Sequence, residues 1–239
     1  MADHLYSGPG AKVRWFVKRF GACELFLLPL RILCSRLVTP FLRARRFPFR
    51  DENLEYFYAH YNVTWCNERC VEIPIGRQFL ARAKDGDVLE VGHVLGHYGD
   101  RGHAVLDKFE TAEGIINADI TEWDTEQRFD LILSISTFEH IGFDDDAEDG
   151  SDEKILAAIA ACRALLKPGG VLAYTVPLGY NPDLDRLIEA DAMGQDRGWF
   201  LLRRGPRNWA VVKRAEALGT EYGRPFPFAN ALFIAEHDK

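Results

Sequence analysis

Residues Asp87 to Gly99, DVLEVGHVLGHYG, combine an apolar run with three spaced glycines. Val88, Leu89 and Val91 lead to Gly92, and Gly96 and Gly99 follow. A buried strand that runs into a glycine turn is how open α/β sheets bring backbone close to a ligand. Glycine permits a left-handed turn there and leaves no Cβ in the ligand's way. The alternative is a core strand followed by an ordinary loop. Polar groups recur downstream at matching places: Asp107, Asp119, then Ser136, Thr137, Glu139 and His140. A histidine titrates near neutrality, so His140 could remove a proton at physiological pH, with Glu139 beside it. The alternative for this pair is structural, closing the floor of a pocket. For Asp107 the alternative is a helix or turn cap.

The elements that must position these groups alternate in type. His103–Asp107, Gly114–Ile120 and Phe129–Ser136 read as strands. Residues 153–167 read as a helix, stopped by Lys167-Pro-Gly-Gly170, and Val171–Pro177 as a further strand. Ile155, Leu156, Ile159, Cys162, Leu165 and Leu166 recur at helical spacing and would pack on a sheet. Asp183–Met193 reads as a helix, and segments from Trp199, Trp209 and Ala231 as closing strands. The early connections are short, with about ten residues from Gly92 to the second strand and about seven from Asp107 to Gly114. Parallel strands normally need a dozen or more. Helices after the first two strands must therefore be single turns or missing.

Together these pieces resemble class I S-adenosylmethionine-dependent methyltransferases. The resemblance rests on LEVG at the first strand, Asp107 ending the second, NADI at the third, FDLILSISTFEHIG at the fourth and LLKPGGVLAYTVP before and through the fifth. It covers roughly residues 85–190. The chain is also similar to a compact subgroup carrying LEVG-x-VL-x-HY, with YFY-x-HYN-x-TW-x-NER upstream, from about residue 54. The resemblance implies an α/β fold with a Rossmann-like, mostly parallel sheet and an antiparallel C-terminal hairpin. It also implies short early crossovers and S-adenosylmethionine as cofactor. Glu90, Gly92 and Gly96 would lie at the methionine end, Asp107 on the ribose and Asp119 at the adenine amino group, with Ser136 facing the same crevice. One position departs from the family's acid-x-Gly-x-Gly-x-Gly pattern: Val94 replaces the middle glycine.

Methyl transfer from a sulfonium is an in-line displacement, and holding donor and acceptor aligned supplies much of the barrier reduction. His140 and Glu139 are the catalytic candidates. Tyr180 and Asn181, in the loop after the fifth strand, would bind the acceptor, since an aromatic face and an amide suit a sugar-like ring. The aromatic segment Tyr56–Trp65 could close as a lid. There is no Asn-Pro-Pro-Tyr and no Pro-Cys pair. A small molecule, a glycan or a lipid-linked intermediate is left as acceptor by exclusion. A non-catalytic methyltransferase-like binding or regulatory module is the alternative, favoured by Val94. A nicotinamide oxidoreductase is disfavoured because Gly-His-Val-Leu-Gly is not GxGxxG.

The 239 residues are enough for one domain with additions, and 47% hydrophobic with 27% charged residues argues against disorder. The net charge of −7 is unevenly placed. Residues 1–50 hold ten Lys or Arg against Asp3 and Glu24, a net +8, which leaves −15 for the rest. Two parts are expected: a basic amphipathic helical arm at 1–50 and the α/β domain at 51–239. The acidic body excludes nucleic acid as an expected partner. Residues 11–46 of the arm suit an anionic membrane surface. Its alternative is packing on the domain or on a dimer partner. The arm has no apolar run near the roughly 20 residues of a span, and Pro29 is expected to divide it into two helices. A cytoplasmic protein, peripheral on the inner membrane face, is the expected setting. No metal is expected. Cys66 and Cys70 lack a second ligand pair, and the acidic run at 144–153 does not fit an EF-hand.

Overall fold

The structure, a computed structural model, describes Val13, Phe16, Val17 and residues 21–39, 45–143 and 151–239. Most of the acidic run and parts of the basic arm therefore lie outside the described residues. In chain order the elements are helix α1 (Glu24–Val38), strands β1 (Arg46–Phe49) and β2 (Glu52–Glu55), a 3-10 turn (Tyr61–Cys66), α2 (Arg69–Arg82) and β3 (Val88–Val91). A 3-10 turn (Leu95–Tyr98), β4 (Ala104–Leu106), β5 (Ile115–Ile116), β6 (Phe129–Ile135) and a 3-10 turn (Phe138–His140) come next. The chain ends with α3 (Ser151–Ala164), β7 (Leu166–Pro177), α4 (Pro182–Glu189), β8 (Arg197–Gly205), β9 (Asn208–Val212), α5 (Arg214–Ala217) and β10 (Ala231–Asp238).

Eight strands form one sheet in the order β5-β4-β3-β6-β7-β10-β8-β9. From β5 through β7 every neighbour pair is parallel. β8 and β9 form an antiparallel hairpin. β10 runs against β7: Lys239 N–H bonds Gly170 O at one end, and Leu178 N–H bonds Ala231 O at the other. The fold is the expected Rossmann-like, mostly parallel sheet with an antiparallel C-terminal end. Chain order reverses direction across the sheet between β3 and β6, and such a switch point is where open α/β sheets receive ligands.

The chain packs as two compact units. One comprises the described residues up to Pro74 with Pro177–Tyr180 and Phe200–Leu232, and the other Ile75–Val176, Asn181–Trp199 and Phe233–Lys239. In the second, β6 (FDLILSI) is buried along nearly its whole length, as a strand covered on both faces must be. Ile155, Ala158, Ile159 and Cys162 form the buried face of α3. The expected helix stop is corrected. α3 ends at Ala164, and Lys167-Pro-Gly-Gly170 lies within β7. Gly169 is left-handed (φ +80°), and a Cβ on Gly170 would meet Phe129 O at 2.8 Å. The glycines let the chain bend back onto β6 where its register shifts. The short crossovers are as expected, with only the 3-10 turn between β3 and β4 and no helix between β4 and β5.

In the first unit Trp209, Phe47 and Phe49 are fully buried, and Trp209 N–H donates to Tyr56 Oη (2.8 Å). Arg203 is buried on the carbonyls of Cys66, Pro206 and Pro227. The division of the arm at Pro29 is corrected: α1 is one helix through Pro29. Proline forfeits only the bond to the Leu25 carbonyl, and Arg31 reaches back across it to Glu24 (2.6 Å). Thr64 does not cap α2. Thr64 Oγ1 accepts from Ala59 N–H and donates to Phe57 O, while Asn67 Oδ1 accepts the N–H of Arg69 at the start of α2.

Candidate functional site

The parallel register sets three candidate residues side by side. Val91 pairs with Leu106 on one flank and with Ser134 on the other. Gly92, Asp107 and Ser136 therefore stand just beyond the carboxyl ends of β3, β4 and β6. Gly92 has φ +86°, and a Cβ there would lie 2.1 Å from Thr137 Oγ1. The β3 and β6 loops thus meet across the switch point with no room for a side chain on Gly92. Val94, in the position of the missing glycine, has φ −112°. That backbone is open to any residue, so the local conformation does not require glycine. A Cβ on Gly96 would fall 2.1 Å from His93 Nε2, so the space glycine leaves is filled by the chain's own imidazole.

Glu90 is fully buried and accounts for both of its oxygens. Oε1 accepts the N–H groups of Val94 (2.9 Å) and Leu95 (2.7 Å), and Oε2 lies 2.8 Å from His103 Nε2. It folds the loop that follows β3. Asp107 behaves similarly. Oδ1 accepts from Phe109 and Glu110 N–H (2.8 and 2.9 Å), and Oδ2 from His93 N–H (3.0 Å). Burial pushes its pKa up, but these three bonds outweigh it and hold the group below the usual carboxylate range. A carboxylate offers about four lone-pair sites, so the turn cap leaves about one open. Asp119 lies past β5, where its Oδ1 accepts from the N–H and hydroxyl of Thr121 and its Oδ2 pairs with Lys108 (3.0 Å). These partners overcome partial burial and lower its pKa too.

Beyond β6 the backbone of Ser136 is left-handed, φ +42°. A non-glycine residue adopts this at a cost of about 1–2 kcal/mol, and such outliers cluster at ligand sites. Glu139 is buried and His140 exposed, with Oε1 and Nε2 3.7 Å apart. Asn181 is fully buried. Its Oδ1 caps α4 through the N–H groups of Asp183 and Leu184, and its Nδ2 donates to Glu139 O (3.0 Å). Tyr180 belongs to the other unit, where its buried ring packs edge-on against Tyr222, 5.1 Å between centroids. Glu90, Gly92, Gly96 and Asp107 thus share one loop system, while Ser136, Glu139 and His140 lie on the loop after β6, which Asn181 holds through the Glu139 carbonyl.

Four further residues have functional contacts. His103 holds Glu90. His93 and His97, with Glu110, form a cluster whose ligand atoms lie within 4.8 Å of one another. The i,i+4 spacing of His93 and His97 was visible, but nothing in the sequence pointed to Glu110.

No family model matches the sequence, and no curated protein matches it. Among solved structures the chain is similar to the N-methyltransferase NodS from Bradyrhizobium japonicum with S-adenosyl-L-homocysteine. That match has 14% identity and a TM-score of 0.43, over 69% of this chain and 85% of that one. It is also similar to a SAM-dependent methyltransferase from Archaeoglobus fulgidus, with 12% identity and a TM-score of 0.41, over 68% and 90%. The amino pentose methyltransferase CalS10 from Micromonospora echinaspora matches with 23% identity and a TM-score of 0.33, over 52% and 58%.

Proposed function

We propose that the chain is an S-adenosylmethionine-dependent methyltransferase acting on a small-molecule, glycan or lipid-linked acceptor. The observation that carries this is the row Gly92, Asp107 and Ser136 along the ends of parallel strands at the switch point. The residues fit the cofactor. Gly92 makes the left-handed turn at the end of β3 with no Cβ, Asp107 retains a lone pair for a ribose hydroxyl and stays ionised, and Ser136 carries a left-handed backbone. When bound, the cofactor supplies a methyl group on a positively charged sulfur. Glu90 would hold the loop at the methionine end, with Gly96 seating His93 within it, and Asp119 is the proposed partner of the adenine amino group.

His140 is the proposed base, exposed enough to meet an acceptor hydroxyl or amine. Its Nε2 lies 3.7 Å from Oε1 of the buried Glu139. Asn181 acts indirectly by fixing the Glu139 carbonyl. Tyr180, which follows β7, is the proposed acceptor-binding aromatic. Calorimetry with S-adenosylhomocysteine tests the reading. Wild type should bind, and Asp107→Ala should weaken binding by on the order of 2–4 kcal/mol, the worth of charge-assisted hydrogen bonds. A folded wild type that gives no heat would remove the enzyme reading.

The second reading, a non-catalytic methyltransferase-like module, is favoured by the Glu90 and His93 contacts, which already fill the glycine loop. It predicts cofactor binding without turnover on any acceptor.

We also propose that α1 lies on an anionic membrane surface. Phe26, Leu30, Leu33 and Leu37 are exposed (79%, 54%, 76% and 72%) at helical spacing, a stripe along one side of the helix. The +8 charge of residues 1–50 complements anionic lipid. No helix among the described residues is long and apolar enough to cross a membrane.

A further inference from the structure

We propose that His93, His97 and Glu110 form a binding site for a divalent transition-metal ion of the zinc class. The three side chains come from two loops, His93 and His97 from the β3–β4 connection and Glu110 from the β4–β5 connection. His93 Nδ1 lies 2.9 Å and His97 Nε2 3.7 Å from the same carboxylate oxygen, Glu110 Oε2. The imidazole rings are tilted against each other with centroids 4.4 Å apart.

An ordinary hydrogen bond does not explain the arrangement. His93 Nδ1 is buried and has no hydrogen-bond partner, and Glu110 Oε2 lies 2.9 Å away. Two lone-pair atoms that face each other in this way suit a shared cation. Zinc bonds of about 2.0–2.1 Å in a tetrahedron separate ligand atoms by about 3.3 Å. The 2.9 and 3.7 Å separations bracket that value, and the whole set lies within 4.8 Å. Two imidazoles and one carboxylate are a donor set for zinc-class ions, with the fourth position left to water.

The backbone is built to hold the three ligands. Gly96 leaves the space that the His93 ring fills. Asp107 accepts the N–H groups of both His93 and Glu110, so one anchor fixes the two loops together. A bound ion would join the same loops through their side chains and stiffen the turn that presents Asp107.

The test uses the full chain and the metal alone, so its outcome is separate from that of the cofactor reading. Titration with Co²⁺ should give the visible absorption of a tetrahedral centre at one equivalent, and Zn²⁺ should displace it. His97 is exposed, so His97→Asn leaves the buried core undisturbed. It should weaken binding at least tenfold, the lower end of what even outer-shell changes cost metal sites. Glu110→Gln should do the same. A wild type with no saturable Co²⁺ binding overturns the proposal. So does binding unchanged in both variants, which would assign the ion to the cysteines or surface acids.

Discussion

His140 and Asp107 show how differently two residues at strand ends can be placed. Asp107 has three backbone partners, and its function depends on the lone pair that remains. His140 is exposed, with its Nε2 3.7 Å from Glu139 Oε1. Loss of a general base lowers the chemical step without touching cofactor contacts. His140→Ala should therefore reduce turnover by roughly 10² to 10⁴ while S-adenosylhomocysteine affinity stays nearly constant. Normal turnover on an identified acceptor would make the residue structural and leave catalysis to proximity. Val94 teaches a related lesson. From sequence it was a defect in a glycine pattern, yet its φ of −112° needs no glycine. Backbone conformation, which a one-letter pattern cannot carry, decides whether such a departure matters.

At the scale of elements, the loop after β3 is the tightest part of the site. A side chain on Gly92 would meet both an unfavourable φ and Thr137 Oγ1 at 2.1 Å. Gly99 has a similar φ of +94° but nothing within 4 Å. Gly92→Ala should cost about 2–4 kcal/mol from left-handed strain plus overpacking, and Gly99→Ala only about 1–2 kcal/mol. Urea midpoints of the two variants measure the difference, and equal losses would mean that Thr137 yields freely. The parallel strands were legible because their apolar runs are bounded by polar residues and turns. The short crossovers followed from counting residues. Lys167-Pro-Gly-Gly170 misled because the same glycines that end a helix also let a strand bend. Pro29 misled because a helix tolerates one missing bond when an ion pair spans the break. For α1, vesicles of anionic lipid should sediment with the protein in a salt-dependent way, and Leu33→Glu should abolish this. Co-sedimentation that ignores salt, or concentration-dependent dimerisation lost in Leu33→Glu, would assign the stripe elsewhere.

For the whole molecule, acid should act through a histidine far from the glycine loops in sequence. His237, on β10, is fully buried, and its ring stacks on Tyr174 at 5.6 Å. Burial, aided by the charge of Arg163, lowers its pKa from 6.5 to about 4. Between those values the unfolded chain binds a proton that the folded chain does not. Stability from this group is therefore complete above pH 6.5 and declines as pH falls toward 4, by at most about 1 kcal/mol per unit once solvent screening is allowed for. Asp107 and Asp119 add a second decline. Their pKa values are lowered, so their contribution holds above the normal carboxylate value of 3.8 and is lost as pH falls below it. Glu68 works the other way, since burial and Glu72 raise its pKa and acid relieves that cost. A single stability curve mixes these effects, but a difference curve separates them. The stability of wild type minus that of His237→Phe should shrink steadily from pH 6.5 to 4 and stay flat above 6.5. Denaturant unfolding at half-unit pH steps supplies both curves, and a difference independent of pH would mean that His237 charges in place within the folded protein.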